Sequence, residues 1–263
     1  MNSDEHGIFA QANYYDLALP RDFSRECDFL AWCADRHGTC ADRSFVELGC
    51  GPARHAREMA RRGYRAVGVD LADPMLSFAR AEAEREGLAL ELVCADMTEF
   101  SLPRAVGLAA CLIETICCVL TNEAMLRHLR TVAGGLLPGG VYVLETTHPR
   151  KAWTPPSGVP HVGRRGETEV ELLWGVPGDP HDSIAQVSTI TRMVTVKESG
   201  HVVARYEDTT RQRYYMAQEL RALVELAGCF AELHFYGRLG LPPLPLSDDP
   251  ACEDMVAVLV KGR

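Results

Sequence analysis

The sequence predicts an α/β fold with a doubly wound, mostly parallel seven-stranded sheet and an inserted antiparallel β subdomain. Over residues 41–149, short apolar runs alternate with segments of helical periodicity, as in βαβ units. Over residues 150–215, apolar and polar residues alternate with a period of two. The helix and strand pattern returns over residues 216–263, which makes the middle segment an insertion. Residues 1–40 precede the first core strand and are predicted to form an N-terminal helical cap.

The best-defined unit spans residues 45–70. An apolar strand leads into Gly49-Cys50-Gly51, a helix follows, and a second apolar strand ends at Asp70. Glycines let the backbone approach a ligand closely, and Asp70 stands about 20 residues beyond the first glycine, where a carboxylate can accept from ribose hydroxyls. The unit therefore predicts a nucleoside cofactor. NAD is the alternative, but Arg54 occupies the position where its motif needs a last glycine.

Further features follow in register with this unit. Glu47 lies in the first strand, Asp96-Met97 comes after a third apolar run, and Pro138-Gly139-Gly140 precedes the fifth strand. Together they resemble the class I S-adenosylmethionine (SAM) dependent methyltransferases, in particular those acting on sugars and natural products. The resemblance covers residues 12–148 and, more loosely, residues 216–261. It implies a class I methyltransferase-like fold, with SAM as cofactor, S-adenosylhomocysteine as its product, and no metal.

The resemblance also implies roles for individual residues around SAM. Asp70 would bind the ribose, Asp96 the adenine amine, and Glu47 would fix the glycine loop near the methionine amino group. For Asp96, the alternative is a cap on the turn that follows it. The expected cofactor-binding set is Tyr15, Glu47, Gly49, Cys50, Gly51, Asp70, Leu71, Met75, Asp96, Met97 and Ile113.

Three residues are candidates for catalysis. Glu114 follows the fourth strand and His148 the fifth, and ligands of an open parallel sheet bind outside the carboxyl ends of its strands. A histidine with a pKa of about 6.5 can take a proton from a nucleophile. The alternative for His148 is a hydrogen bond to the backbone near Pro149. The third candidate is a tyrosine of the N-terminal segment: we assign Tyr14 to catalysis and its neighbour Tyr15 to the cofactor.

The insert is predicted to contain three antiparallel strands, at residues 167–175, 184–196 and 202–215. In the methyltransferases that this chain resembles, such an insert roofs the substrate pocket or forms a dimer contact. We therefore expect one of these two roles. The candidate substrate-binding residues are Trp153, Trp174, Arg211 and Tyr214, and packing in a core or interface is their alternative role.

Composition limits the partners of the chain. A formal net charge of −9 argues against a broad nucleic-acid surface. The longest uncharged apolar stretch is too short for a membrane span, and the polar N-terminus is not a signal peptide, so we expect a cytoplasmic protein. Its ten cysteines are expected to be reduced. Cys33-x-x-x-His37-x-x-Cys40 faintly resembles a zinc motif, but it lacks a second close pair, so the end of an amphipathic helix is favoured.

These features predict a methyltransferase that moves a methyl group from SAM to an N or O nucleophile of a small molecule, in secondary metabolism. Two alternatives remain open. An enzyme of the same fold can cyclise SAM and release methylthioadenosine, or the chain can bind SAM without catalysis. The expected partners are the small-molecule substrate and a second copy of the chain, without nucleic acid or membrane.

Overall fold

In the computed structural model, the described residues are 7–19, 21, 23–151, 154 and 158–262. A seven-stranded sheet forms its centre, in the spatial order β3-β2-β1-β4-β5-β12-β11. Strands β1 to β5 are parallel, whereas β12 is antiparallel to both of its neighbours. The strands are β1 (Ser44–Leu48), β2 (Arg65–Asp70), β3 (Leu90–Cys94), β4 (Val106–Cys111), β5 (Leu136–Thr147), β11 (Phe230–Tyr236) and β12 (Asp254–Lys261). The predicted fold class is confirmed.

Helices cover both faces of this sheet. They are α2 (Phe23–His37), α3 (Arg54–Arg61), α4 (Asp73–Arg85), α5 (Asn122–Gly135) and α6 (Ala217–Ala227), whereas α1 (Ala12–Ala18) packs mainly on the inserted strands described below. Leu30, Met59 and Leu76 bring α2, α3 and α4 into one buried cluster, whereas α5 and α6 share the cluster on the opposite face. Apolar side chains therefore project from both faces of the sheet, which explains the continuous apolar runs of its central strands.

Two boundaries differ from the sequence-based prediction. The sequence Asp73-Pro74 predicts an N-cap followed by a proline in the first turn, but helix α4 begins after Ala72, so Asp73 is its first residue. Strand β5 begins at Leu136, several residues before the predicted start, and its pairing with β4 shifts register beyond Val106. The Pro-Gly-Gly turn thus lies inside the strand as an irregularity, because the flanking residues still form the ladder.

The insert forms a separate antiparallel sheet in the order β10-β9-β7-β6, with a two-residue β8 beside β9. Its strands are β6 (His161–Arg165), β7 (Thr168–Trp174), β8 (His181–Asp182), β9 (Val187–Glu198) and β10 (His201–Arg213). The three predicted strands correspond to β7, β9 and β10. The prediction of three strands was incomplete because β6 lies in a Pro- and Gly-rich segment. At Gly163, in the middle of β6, a Cβ would collide with the Leu17 carbonyl, so glycine allows α1 to lie close to this strand.

The N-terminal residues do not form one cap. Ile8 and Ala18 are buried against Val170 and Val194 of the inserted sheet, so the segment up to α1 packs under the insert. Helix α2 instead packs on β5 and α3 as part of the main domain. None of the helices in the described ranges is long and apolar enough to cross a membrane.

Candidate active site

The glycine loop joins β1 to α3 at the C-terminal edge of the parallel strands. Gly49 and Gly51 have φ angles of 60° and 50°, a region that favours glycine. A Cβ at Gly49 would collide with the side chain of Thr115. At Gly51 the nearest neighbour of a Cβ would be the Met75 sulfur, 4.0 Å away. The loop therefore leaves a cradle beside Gly51 that a ligand can fill.

Asp70 closes this cradle from the end of β2. Its Oδ2 accepts a hydrogen bond from the Gly51 N–H at 2.7 Å, and its Oδ1 accepts one from the Ala72 N–H at 2.8 Å. Burial raises the pKa of Asp70, and the two backbone donors act in the opposite direction. Each carboxylate oxygen can accept more than one hydrogen bond, so Asp70 can hold the loop and also accept from ribose hydroxyls.

A cavity of about 510 Å³ opens at this edge of the sheet, a size typical of small-molecule sites. Eight of the expected cofactor residues line it: Tyr15, Gly49, Gly51, Asp70, Leu71, Met75, Asp96 and Met97. The other three, Glu47, Cys50 and Ile113, line a smaller cavity that also contains Tyr15. The structure thus brings the whole expected set together, and the cradle and carboxylates fit a nucleoside cofactor such as SAM.

The end of this cavity formed by Asp96 and Met97 is fixed by hydrogen bonds. Asp96 Oδ1 accepts a hydrogen bond from the Thr98 N–H at 2.7 Å, so Asp96 caps its turn while its side chain lines the cavity. The buried His128 of α5 contacts the Met97 carbonyl through Nδ1 at 2.8 Å and the Tyr142 hydroxyl through Nε2 at 2.7 Å. These bonds fix the Asp96-Met97 backbone where an adenine ring would lie.

Glu47 acts on the loop through a buried histidine. His55 Nδ1 lies 2.7 Å from Glu47 Oε1, and His55 Nε2 lies 2.6 Å from Glu26 Oε2. Burial by itself lowers the pKa of His55, but the two carboxylates raise it to about 9, so the ring is an imidazolium. Glu47 also accepts from the Ala56 N–H at 2.9 Å. This cluster ties β1, α2 and the first turn of α3 together beneath the cofactor cradle.

The two N-terminal tyrosines have different positions. Tyr15 lines both cavities and packs edge-to-face on Phe9, with 5.4 Å between the ring centroids. Tyr14 packs against Tyr206 of the inserted sheet, with 6.3 Å between the centroids. Neither of the two described cavities is lined by Tyr14, so its expected catalytic role has no support in this geometry. Adjacent residues of a helix point about 100° apart, and the insert occupies the direction in which Tyr14 points.

A strained turn follows β4 and carries Glu114. Both Ile113 and Glu114 have a φ of 53°, in the left-handed region that β-branched Ile rarely adopts. The Ile113 N–H donates to Glu145 Oε2, and the N···O distance is 2.5 Å. Such strain persists only where surrounding contacts enforce it, and it is frequent at functional sites. The half-buried Glu114 thus lies between Ile113 and Thr115, which each line one of the two cavities, although Glu114 itself lines neither. Burial together with the charge of Glu145 raises its pKa.

Two further acidic residues, which the sequence analysis did not select, lie beside Glu114. Glu145 is 1% exposed near the end of β5, and its Oε1 accepts from Arg21 at 3.2 Å. Asp254 begins β12 on the same face of the sheet, paired with Thr147. Burial, and then the charge of Glu145, raise the pKa of Asp254 to about 7. A signal for Glu145 was present, since an acid directly after the apolar run of residues 141–144 and within the same buried strand is unusual.

His148 has a structural environment. Its side chain is 2% exposed, its Nε2 lies 3.1 Å from the Ser247 carbonyl, and its Nδ1 accepts from the Arg150 N–H at 3.1 Å. The donor at Nδ1 requires the proton to be on Nε2, which donates to the carbonyl. Both ring nitrogens are thus used by the backbone, so the expected role of His148 as general base is not supported, and the backbone-bonding alternative describes the contacts.

The expected substrate residues are dispersed. Trp153 lies outside the described residues. Trp174 donates to Gln212 at 3.3 Å within the inserted sheet, and Arg211 points to solvent from β10. Tyr214 is close enough to Glu114 for that carboxylate to affect its titration, although burial is the main cause that raises its pKa to about 12. Of the three that the structure describes, Tyr214 is therefore the one placed toward the candidate catalytic edge.

The fold is that of the class I methyltransferases, and comparisons with known proteins agree. Residues 45–140 match the family described as "Methyltransferase domain". A dTDP-3-amino-3,6-dideoxy-alpha-D-glucopyranose N,N-dimethyltransferase of Streptomyces fradiae is 27% identical over 78% of this chain and 80% of its own length.

Solved structures show the same fold. The sugar N-methyltransferase KedS8 from Streptoalloteichus superposes with a TM-score of 0.74 at 21% identity, over 100% of this chain and 96% of that one. The CcbJ methyltransferase from Streptomyces caelestis gives a TM-score of 0.74 at 20% identity, over 98% and 100% of the chains. Residues 45–140 form a methyltransferase domain, and the chain is a SAM-dependent methyltransferase.

Proposed function

We propose that this enzyme methylates an amino group of a small molecule, of the amino-sugar type. The observation that carries the proposal is the group of three carboxylates, Glu114, Glu145 and Asp254, at the ends of neighbouring strands β4, β5 and β12. A protonated amine gains from nearby carboxylates, whereas a neutral hydroxyl gains much less. The Streptomyces fradiae relative is named as a methyltransferase of an amino sugar, which supports the same class of substrate for this chain.

The carboxylates differ in what they can do. Arg21 and the Ile113 N–H already engage Glu145, which therefore serves to position the strained turn. Asp254, with a pKa of about 7, can change its protonation state at neutral pH. An alkylammonium must lose a proton before its nitrogen can attack a methyl group, and a group with a pKa near the working pH is suited to accept it. We assign this role to Asp254 and recognition of the ammonium to Glu114.

The proposed mechanism depends mainly on alignment. SAM supplies a methyl group that is already activated as a sulfonium. Gly49, Gly51 and Asp70 would bind the nucleoside, and Glu47 with His55 fixes the glycine loop. The Ile113-Glu114 turn would orient the acceptor amine toward the methyl group. Holding two reactants in line and excluding water supplies a large part of such a rate enhancement.

The test compares acceptors. A nucleotide-linked amino sugar, and the same sugar with a hydroxyl in place of the amine, are each incubated with the enzyme and SAM. We expect S-adenosylhomocysteine to form only with the amino sugar. The rate of its formation should be reduced in Asp254→Asn and unchanged in the surface variant Glu225→Gln. Equal methylation of the hydroxyl sugar would contradict the amine proposal. Methylthioadenosine as the product would instead indicate cyclisation of SAM.

We infer that the inserted sheet acts as a roof. It packs on the segment that carries Phe9 and Tyr15, and both side chains line the main cavity. Removing the sheet would therefore expose the cavity from that side. A dimer contact through the insert remains a prediction, which light scattering tests against a single-chain mass of 29.0 kDa. The cytoplasmic location is likewise a prediction.

A further inference from the structure

A cluster of metal-ligating side chains lies away from the active site, where the end of α2 meets the edge strand β11. His37, Glu232 and His234 each offer one ligand atom, and these atoms all lie within 4.8 Å of one another. His234 Nε2 is 2.9 Å from Glu232 Oε2, and the two imidazole rings are 4.3 Å apart between centroids. Residues from two elements that are almost 200 positions apart in the chain thus converge at one point.

The cluster differs from the motif seen in the sequence. Cys33 is fully buried among the core residues of α2, so it is not available as a ligand beside His37. Tertiary folding pairs His37 with residues of β11 instead. Its Nε2 lies 2.8 Å from the Tyr236 hydroxyl, and a hydrogen bond of this kind orients the imidazole, as the outer partners of metal ligands commonly do.

We propose that His37, Glu232 and His234 form a binding site for a divalent transition metal ion, with Zn²⁺ as its occupant. Two imidazoles and one carboxylate are a ligand set that suits Zn²⁺, and water can complete a tetrahedron. Glu232 is exposed and both histidines are partly exposed, so an ion can reach the cluster from solvent. Binding requires the three side chains to rotate until their ligand atoms, now within 4.8 Å of one another, each lie about 2 Å from the ion.

The ion would link two elements. Strand β11 is the outermost strand of the main sheet, and α2 crosses the neighbouring face. A metal bridge between His37 and the strand stabilises the native state by binding the folded arrangement alone. This role does not involve methyl transfer, because the cluster is separate from the residues that line the cofactor cavity.

The test uses the full chain after treatment with a chelator. Calorimetric titration with Zn²⁺ is expected to show one tight site. Thermal denaturation with Zn²⁺ is expected to show a raised melting temperature. In His234→Ala, and independently in Glu232→Gln, affinity should fall at least about tenfold, since even outer partners of ligands act on that scale. His201→Ala, which removes an exposed histidine of the inserted sheet, is the matched control and should bind as the wild type does.

Co²⁺ provides a second readout that identifies the ligands. Trp32 lies edge-to-face on His37 at 5.5 Å, so Co²⁺ at the cluster should quench its fluorescence, and Trp32→Phe should remove that quenching. The Co²⁺ spectrum should lack thiolate charge-transfer bands. The proposal is overturned if His234→Ala and Glu232→Gln retain wild-type Zn²⁺ affinity, if thiolate bands appear, or if no binding is measured. Circular dichroism confirms that each variant is folded.

Discussion

The carboxylate of Glu145 accepts the backbone N–H of Ile113 at 2.5 Å and thereby holds two successive non-glycine residues in the left-handed conformation. We expect Glu145→Leu to relax this turn and misplace Glu114. Because misplacement by about 1 Å can cost on the order of 100-fold in rate, kcat should fall by up to that factor. SAM affinity should change less than kcat, because Ile113 is the one member of the expected cofactor-binding set that lies in this turn.

Glu145→Gln is the informative companion variant. It keeps an oxygen acceptor for Ile113 but loses the charge that pairs with Arg21, so its kcat should lie between those of wild type and Glu145→Leu. Single-turnover methyl transfer and SAM calorimetry measure the two properties separately. A wild-type kcat in Glu145→Leu would show that the turn does not depend on this hydrogen bond.

Asp70 should contribute directly to SAM binding. Asp70→Ala removes a carboxylate that holds the Gly51 N–H and faces the cavity, so binding should weaken by roughly 1–3 kcal/mol, the range for charge-assisted hydrogen bonds. Calorimetry with SAM measures the loss, and Asp35→Ala on the exposed face of α2 is the control. An unchanged affinity would remove Asp70 from the cofactor site.

Asp254 should determine the acidic limb of the pH–rate profile. If its carboxylate accepts the proton of the substrate, kcat/KM should rise with pH through about 7, the pKa that burial and Glu145 impose on it. Asp254→Asn should lose this rise with pH, and its kcat/KM at pH values above 7 should be about 10²-fold lower than that of the wild type. Initial rates with an amino-sugar acceptor across neutral pH measure the profile. Retention of the limb in Asp254→Asn would assign it to another group, such as Glu114 or the amine itself.

His148 should matter for stability rather than for rate. His148→Ala removes two hydrogen bonds of a buried ring, to the Ser247 carbonyl and from the Arg150 N–H, which should lower the free energy of unfolding by about 1–3 kcal/mol. The rate per folded molecule and its pH dependence should remain those of the wild type. Urea denaturation and single-turnover kinetics test the two halves. A strong loss of kcat with unchanged stability would restore His148 as a general base.

His55 should make the stability depend on pH. Its folded pKa of about 9 lies above the unfolded value of about 6.5, so the native state binds the proton more tightly. This contribution is fully present below about pH 6.5 and is lost as pH rises through about 9. The loss is on the order of 3 kcal/mol.

The His55→Gln variant isolates this effect. It should be less stable than wild type near neutral pH, because two buried carboxylates lose their cation, and its stability should fall less between pH 6.5 and 9. Urea denaturation at several pH values gives both results. Parallel pH dependences for variant and wild type would show that His55 is neutral in the folded protein.

The sequence by itself determined the features that are local in the chain. Apolar periodicity defined the strands of the main sheet, and the spacing from Gly49 to Asp70 defined the cofactor unit, because a strand, its loop and the next strand form one supersecondary unit. The residues expected around SAM accordingly meet at one edge of the sheet. Strand β6 was missed because its Pro- and Gly-rich surroundings obscure the alternation of apolar and polar residues. Its pairing with β7 is a tertiary contact, which the local sequence does not show.

Only the tertiary structure decided which distant side chains meet. Arg21, Glu145 and Asp254 come from an N-terminal segment and two different strands, and His37 meets Glu232 and His234 across most of the chain. Tyr14 lies in the N-terminal segment and His148 follows the fifth strand, as the sequence indicates. Packing nevertheless turns Tyr14 toward the insert, and His148 bonds to the backbone. Periodicity carries the direction of a side chain relative to its own element, whereas its partners and pKa depend on how the elements pack together.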